Sequence, residues 1–393
     1  LEPPAPKPLL LSPIINRAIR GKESVMKTIR VAIVGQGRSG RGIHAEYLQH
    51  VPGKFTIAAV ADPLKDRRDR AVREFGCDAY ASHKPLLRRN DIDLVVNATP
   101  SHLHVPYTLE FLNAGFNVLC EKPLAAKVKD VDRLIAAQKK SGTVFAVFQQ
   151  SRYAPYFQQV RKVIDSGVLG DLVQVNIQFN GFNRRYDWQT LTAFDGGNLL
   201  NTGPHPLDQA LQLFGTDTMP RVFCLMRRTV NYGDAEDHVL LVLEGEGRPI
   251  INLEISSCCT YPPYTYNVYG TRGGLCGSMS RLEWRYYLPE EAPKLRLQKR
   301  PLANSAGHPA YCSDALTWHK RTWTAPKLQQ DLFNVISDGF YSMLYKTLAR
   351  GVPLEITPMQ VRQQIAVIEE AQKDAGVHPE TITYVETHGT GTS

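Results

Sequence analysis

The chain has no long apolar run. Its longest hydrophobic stretches are strand-sized, far short of the roughly 20 residues that a membrane-spanning helix needs, so no membrane partner is expected. Cysteine is scarce, with seven in 393 residues. The number is odd and no pair has metal-ligand spacing, adjacent Cys258 and Cys259 included. That argues against a disulfide framework and a zinc site, and it predicts reduced thiols, a cytoplasmic protein and no bound metal. The N-terminal LEPPAPKPLLLSPII breaks its apolar patch with prolines, as a linker does and a signal peptide does not. Although the net charge is +8, Lys and Arg are spread along the chain with no arginine-rich arm. Nucleic acid is therefore not expected as a partner, whereas an anionic cofactor is.

What the chain does have is IRVAIVGQGRSGRGIHAEYL, residues 29 to 48. An apolar run meets Gly35, Gly37 and Gly40 in G-x-G-x-x-G spacing, with Gln36, Arg38 and Ser39 between them. A buried strand that hands a pyrophosphate to a helix start needs this pattern. The first glycine permits the turn, the second lets backbone amides approach phosphate, and the third lets strand and helix pack closely. A second apolar run ends at Asp62, 22 residues after Gly40, where a carboxylate can accept the adenosine ribose hydroxyls. Asp62 favours NAD, and nearby Arg67 and Arg68 keep NADP as the other candidate.

From Ile29 to about Gln150 strands and helices alternate, with strand candidates at 29–34, 55–61, 93–98, 117–121 and 143–148. Near-continuous apolar strands such as DLVVNAT predict a doubly wound parallel sheet, an α/β domain over residues 26–150. After residue 150 comes a helix (154–166), then short strands with tight turns. They predict an α+β domain over 151–373 with an open-faced, largely antiparallel sheet. Helical stretches near 329–350 and 358–372 close it. Residues 1–25 read as a linker or extension, and 374–393 as a separate tail.

Three further segments carry chemistry. NATPSHLHVPY (97–107) follows a buried strand, which puts Thr99, Pro100, Ser101 and His104 over the cofactor. CEKPLA (120–125) places Glu121 and Lys122 at the same edge, where a desolvated lysine can exchange protons or polarise a carbonyl. Pro123 is a candidate for a cis peptide bond. In GGNLLNTGPHPLDQA (196–210), Asn201, His205 and Asp208 are spaced by four and three, on neighbouring turns of a helix. An imidazole there suits removal of an alcohol proton.

Glycine loop, EKP and G-G-x-L-x-(D/N)-x-G-x-H-x-x-D, in this order, resemble the Gfo/Idh/MocA family of nicotinamide-dependent oxidoreductases, from about Met26 to Gln372. The resemblance implies a Rossmann domain holding the cofactor, with Lys122 and His205 serving the redox step. It also implies a sheet that mediates a homodimer or homotetramer. Many members have aspartate where this chain has Asn201, so Asp208 is a candidate to supply the missing charge. Candidate substrate contacts are Arg152, Tyr153, Asn183, Arg185, Tyr186 and Trp188. The expected reaction is hydride transfer between NAD(P) and a secondary alcohol of a sugar, cyclitol or related polyol. The alternatives are a glycosidase that oxidises its substrate transiently and a non-catalytic dinucleotide-binding regulator. Residues 368–393 resemble a different family, the ketosynthases of polyketide and fatty-acid assembly, whose histidine motif falls on His388. A lone histidine without its pocket cannot do that chemistry, so the tail is expected to be a dispensable fragment.

Overall fold

A computed structural model describes residues 27–327 and 331–376. The extension 1–25 and most of the tail, His388 included, lie outside the described residues. Residues with near-continuous Val, Ile and Ala form six parallel strands. They are β1 (Ile29–Val34), β2 (Phe55–Ala61), β3 (Asp78–Tyr80), β4 (Leu94–Asn97), β5 (Asn117–Cys120) and β6 (Phe145–Val147). Their order, β3-β2-β1-β4-β5-β6, reverses direction between β1 and β4, which opens a crevice at the strands' carboxyl ends. Strand β3 is one element the sequence reading passed over; it is short and only half-buried, so its apolar pattern is weak. The connecting helices are α1 (Glu46–Gln49), α2 (Lys65–Phe75), α3 (His104–Asn113) and α4 (Val128–Ser141).

Helix α5 (Pro155–Asp165) leads into β7 (Leu172–Asn180) of a second, eight-stranded sheet. Between β7 and the next strand lie α6 (Asn198–Asn201) and α7 (Pro204–Phe214). The remaining strands are β8 (Arg221–Arg227), β9 (His238–Glu244), β10 (Ile250–Ser256), β11 (Tyr266–Gly270), β12 (Gly273–Gly277) and β13 (Arg281–Tyr286). A two-stranded ribbon, β14 (Leu302–Ala303) and β15 (Pro309–Ala310), precedes the edge strand β16 (His319–Thr324). All neighbours in the large sheet are antiparallel except β7 with β10. Strict alternation on β9 turns Val239, Leu241 and Leu243 into the core. On the same sheet Phe223, Leu225 and Tyr269 stay exposed.

Two long helices complete the described residues. Helix α8 (Leu332–Arg350) sends Phe340, Tyr341 and Leu344 into the cluster around Ile29, Val31 and Ile33. Although it follows the second sheet in sequence, it packs against the first. Helix α9 (Pro358–Asp374) starts with a reciprocal cap: Thr357 Oγ1 accepts the Gln360 N–H while Gln360 Oε1 accepts that of Thr357. It packs on α4, α7 and β8 together.

Candidate active site

Steric limits build the site from the glycine turn outward. Gly35 has φ +92°, and a Cβ there would lie 2.5 Å from the Ala98 carbonyl oxygen. A Cβ on Gly40 would lie 1.8 Å from the Gly35 oxygen, so β1 and the helical turn that follows touch backbone to backbone. The neighbourhood of Gly37 is open apart from Arg67 Nη1 at 3.6 Å. Beside this turn lies a cavity of about 750 Å³. Its walls include Gly35, Gly37, Arg38, Ser39, Asp62, Thr99, Pro100, Ser101, His104, Glu121, Lys122, Trp188, Asn201 and His205. Backbone glycine at one end and unpaired polar atoms at the other fit a dinucleotide. Gln36 and Gly40 are buried in the turn itself, and Gln36 contributes its backbone N–H to Asp62 at 2.8 Å.

Asp62 is nearly inaccessible and already occupied. Its Oδ2 accepts the Gln36 N–H and the Arg67 guanidinium (3.3 Å), and its Oδ1 accepts the Leu64 N–H at 2.9 Å. An aspartate facing the ribose unpaired would repel a 2′-phosphate; here Arg67 offsets that charge.

Lys122 and His205 meet in the cavity, from β5 and α7 respectively. Lys122 Nζ donates to the Asn201 backbone carbonyl at 2.8 Å, and the Lys122–Pro123 peptide is cis. Burial lowers the Lys122 pKa, Glu121 opposes this, and Arg38 and Arg185 add to the lowering. Burial first, and then the Lys122 charge, pull His205 down to about 3. The imidazole is therefore neutral near pH 7, and its buried Nδ1 has no hydrogen-bond partner among the described residues. Asn201 thus meets Lys122 through its main chain, and its side-chain amide makes no hydrogen bond to the imidazole.

Two residues expected to contact the cofactor are engaged within the protein. His104 lies between the carbonyls of Pro123 (2.7 Å) and Thr99 (2.9 Å), fastening two loops together. Glu121 Oε1 faces His44 Nε2 at 3.1 Å, and its Oε2 accepts the Lys122 N–H at 3.0 Å.

Other expectations are corrected by packing. Asp208 does not reach His205, because its carboxylate is held bidentately by Arg152 at 2.9 and 2.5 Å, both side chains buried. Arg152 is thus engaged within the core and is not among the cavity's walls; its Nη1 goes to Gln360 and the Glu355 carbonyl. Tyr153 donates to Glu355 at 2.8 Å and packs on Gly339. Asn183, Arg185 and Tyr186 sit on the loop after β7 and do not line the cavity, and Arg185 pairs with Asp187. Only Trp188 of that group is a wall residue. The sequence reading missed Gln150 and Phe333, which also line it. Gln150 is buried with its Oε1 unpartnered, and Phe333 comes from α8, too far along the chain for spacing to reveal.

Glu236 anchors the loop that carries the third motif. It accepts the Leu199 N–H at 2.8 Å and lies directly over Gly197. Burial raises its pKa to about 7, although the Leu199 N–H bond acts the other way. A carboxyl that binds its proton more tightly folded than unfolded adds stability at low pH and loses that contribution as pH rises through the folded value. Glu236 therefore contributes a falling component to the melting temperature between pH 5 and 7, opposite to the rising one from the depressed His205, and Glu236→Gln should remove it, giving a more positive slope than the wild type.

With this geometry in place, the comparisons with known proteins decide the family. Residues 29–149 match the oxidoreductase family with an NAD-binding Rossmann fold, and 157–276 match the GFO/IDH/MocA C-terminal domain. The chain belongs to the Gfo/Idh/MocA family. It is an NAD-binding oxidoreductase of that family, with the Rossmann sheet order described above. The scyllo-inositol 2-dehydrogenase (NADP(+)) of Bacillus subtilis is 25% identical over 368 residues, 91% of this chain and 96% of that protein. The dTDP-3,4-didehydro-2,6-dideoxy-α-D-glucose 3-reductase of Streptomyces violaceoruber is 34% identical over 190 residues, 48% of this chain and 56% of that protein. The WlbA dehydrogenase of Bordetella pertussis, solved with NADH and UDP-GlcNAcA, superposes with a TM-score of 0.71 at 20% identity, covering 89% of this chain and 97% of that one. Residues 348–393 match the C-terminal domain of β-ketoacyl synthase. That match reaches back over α9, which this protein uses to close its oxidoreductase core.

Proposed function

We propose that this protein interconverts a secondary alcohol and a ketone on a sugar, cyclitol or related polyol, using NAD(P). The carrying observation is that the Lys122 ammonium and the neutral His205 imidazole line the same cavity as the glycine turn. The glycine turn would hold the dinucleotide, whose nicotinamide would supply the hydride acceptor. Lys122 donates a hydrogen bond to the substrate oxygen and stabilises negative charge as it develops. His205 takes the hydroxyl proton, a role open to a neutral ring with a free nitrogen. The Asn201 carbonyl keeps the ammonium in place between the two sheets.

A second cavity, of about 630 Å³, is lined by Thr202 and Leu332, chain neighbours of Asn201 and Phe333 in the first. Asn180, Thr265 and Ser278 on its walls offer amide and hydroxyl groups suited to a polyol body. The relatives named for inositol and deoxysugar chemistry support that class. The exposed Phe223, Leu225 and Tyr269 support a homo-oligomer joined through the large sheet.

The test is a panel of cyclitols, aldoses and aldonates with NAD and NADP, following net formation of reduced nicotinamide. Turnover without net reduction would point to a transient-oxidation mechanism, and its absence throughout would sink the reading. His205→Ala should lower kcat by about 10² to 10⁴ with NADH affinity unchanged. Because the His205 pKa lies near 3, wild-type kcat should show no histidine limb between pH 5 and 7.

A further inference from the structure

The motifs leave one buried polar chain unexplained. His44, in the helical turn after the glycine loop, is fully buried, and both its ring nitrogens are engaged. Nδ1 lies 2.7 Å from the Tyr341 hydroxyl of α8, and Nε2 lies 3.1 Å from Glu121 Oε1. Tyr341 is itself fixed by stacking on Tyr47 (centroids 4.9 Å apart), whose hydroxyl donates to Asp338 at 2.8 Å. Phe148 covers the imidazole at 4.6 Å. Nothing in this cluster touches the cavity except Glu121, and Glu121 is joined in sequence to Lys122.

The hydrogen-bond logic runs in one direction. When the Tyr341 hydroxyl donates to Nδ1, a neutral ring must carry its proton on Nε2, facing the carboxylate. Burial would push the Glu121 carboxyl up. The His44 hydrogen bond, the charge attraction between His44 and the carboxylate, and then the Lys122 charge hold it well below the usual carboxylate range instead. Glu121 is in turn the one anion that acts on Lys122 against burial and against Arg38 and Arg185. The charged groups around Lys122 are thus Glu121 from its own strand end, Arg38 from the glycine loop and Arg185 from the loop after β7, with neutral His205 opposite.

We infer that His44, oriented by Tyr341, is a positioning residue that keeps Glu121 ionised and thereby keeps the Lys122 ammonium protonated in the active site. This rests on Lys122 having the role given above, but it concerns how the charge is maintained and not which substrate is used. Without the Nε2 donor, a buried Glu121 takes up a proton. The two arginines then drive Lys122 toward the neutral amine.

The experiment reads the amine directly, in the full chain and without substrate. Lys122 faces the cavity, so trinitrobenzenesulfonate can reach it, and peptide mass spectrometry gives its modification rate at each pH. Only the neutral amine reacts. In His44→Phe the titration midpoint should drop by about one unit or more, raising the neutral-pH rate about tenfold. His44→Gln, which retains an N–H donor, should restore the wild-type profile. Tyr341→Phe should give a smaller shift of the same sign, and Glu121→Gln the full shift. If His44→Phe does not fold, the last two variants carry the test. Wild-type profiles in the folded variants would overturn the inference and leave the oxidoreductase reading standing. A polyol panel with no turnover would do the reverse.

Discussion

Replacing Lys122 by methionine should lower turnover about a thousandfold, within the range for loss of a positioned acid–base group, while NADH binding changes by no more than a few-fold. The reason is where the side chain ends. Its Nζ is anchored on the Asn201 carbonyl, and both residues line the cavity together with His205. Methionine keeps the unbranched shape and most of the packing but removes both charge and donor. Fluorescence titration with NADH and steady-state kinetics on the best polyol separate the two effects. Arginine at the same position keeps the charge, but its planar fork cannot reproduce one short bond to a carbonyl, so it should rescue little. Equal loss of cofactor affinity and turnover in Lys122→Met would place the ammonium on the dinucleotide and remove it from the reaction.

The largest stability effect is expected from Asp208→Ala. Arg152 and Asp208 form a bidentate pair with both side chains almost completely buried. Breaking one partner leaves an uncompensated guanidinium in the core, which costs about 3–5 kcal/mol. For a chain of this size that lowers the melting temperature by roughly 10 °C. The pH dependence of kcat should be unchanged, because Asp208 turns away from His205. Thermal denaturation and a pH–rate profile on the same variant test both halves. A displaced pH profile with an undisturbed melting temperature would return Asp208 to the reacting groups.

That contrast marks where sequence reasoning stops. The glycine spacing, Asp62, Lys122 and His205 were legible because each must sit at a fixed offset from a strand end or a helix turn, and such offsets are local. Burial of both faces made the parallel strands legible too. The partner of Asp208 was not, since Arg152 lies 56 residues earlier and nothing in its surroundings distinguishes a core arginine from a substrate-binding one. Asn201 was chosen for its side chain but acts through its carbonyl, and a main-chain contribution leaves no trace in residue identity. His44 sits inside the best-read segment of all, yet its importance depends on Tyr341, 297 residues later. Phe333 and Gln150 were missed for the same reason: tertiary packing, and not local pattern, brings them to the cavity.

Helix α9 has a consequence for how the molecule is made. Gln364 bonds both Gln149 at the end of the first sheet and the Pro204 carbonyl beside His205. Glu369 receives the Val128 N–H, and Asp374 that of Cys224. Until that segment leaves the ribosome, the nascent polypeptide holds two half-finished lobes whose apolar seams face water. Maturation of these two lobes thus waits until α9 has been translated, and a stall before it would release a client for chaperones, not a smaller working enzyme.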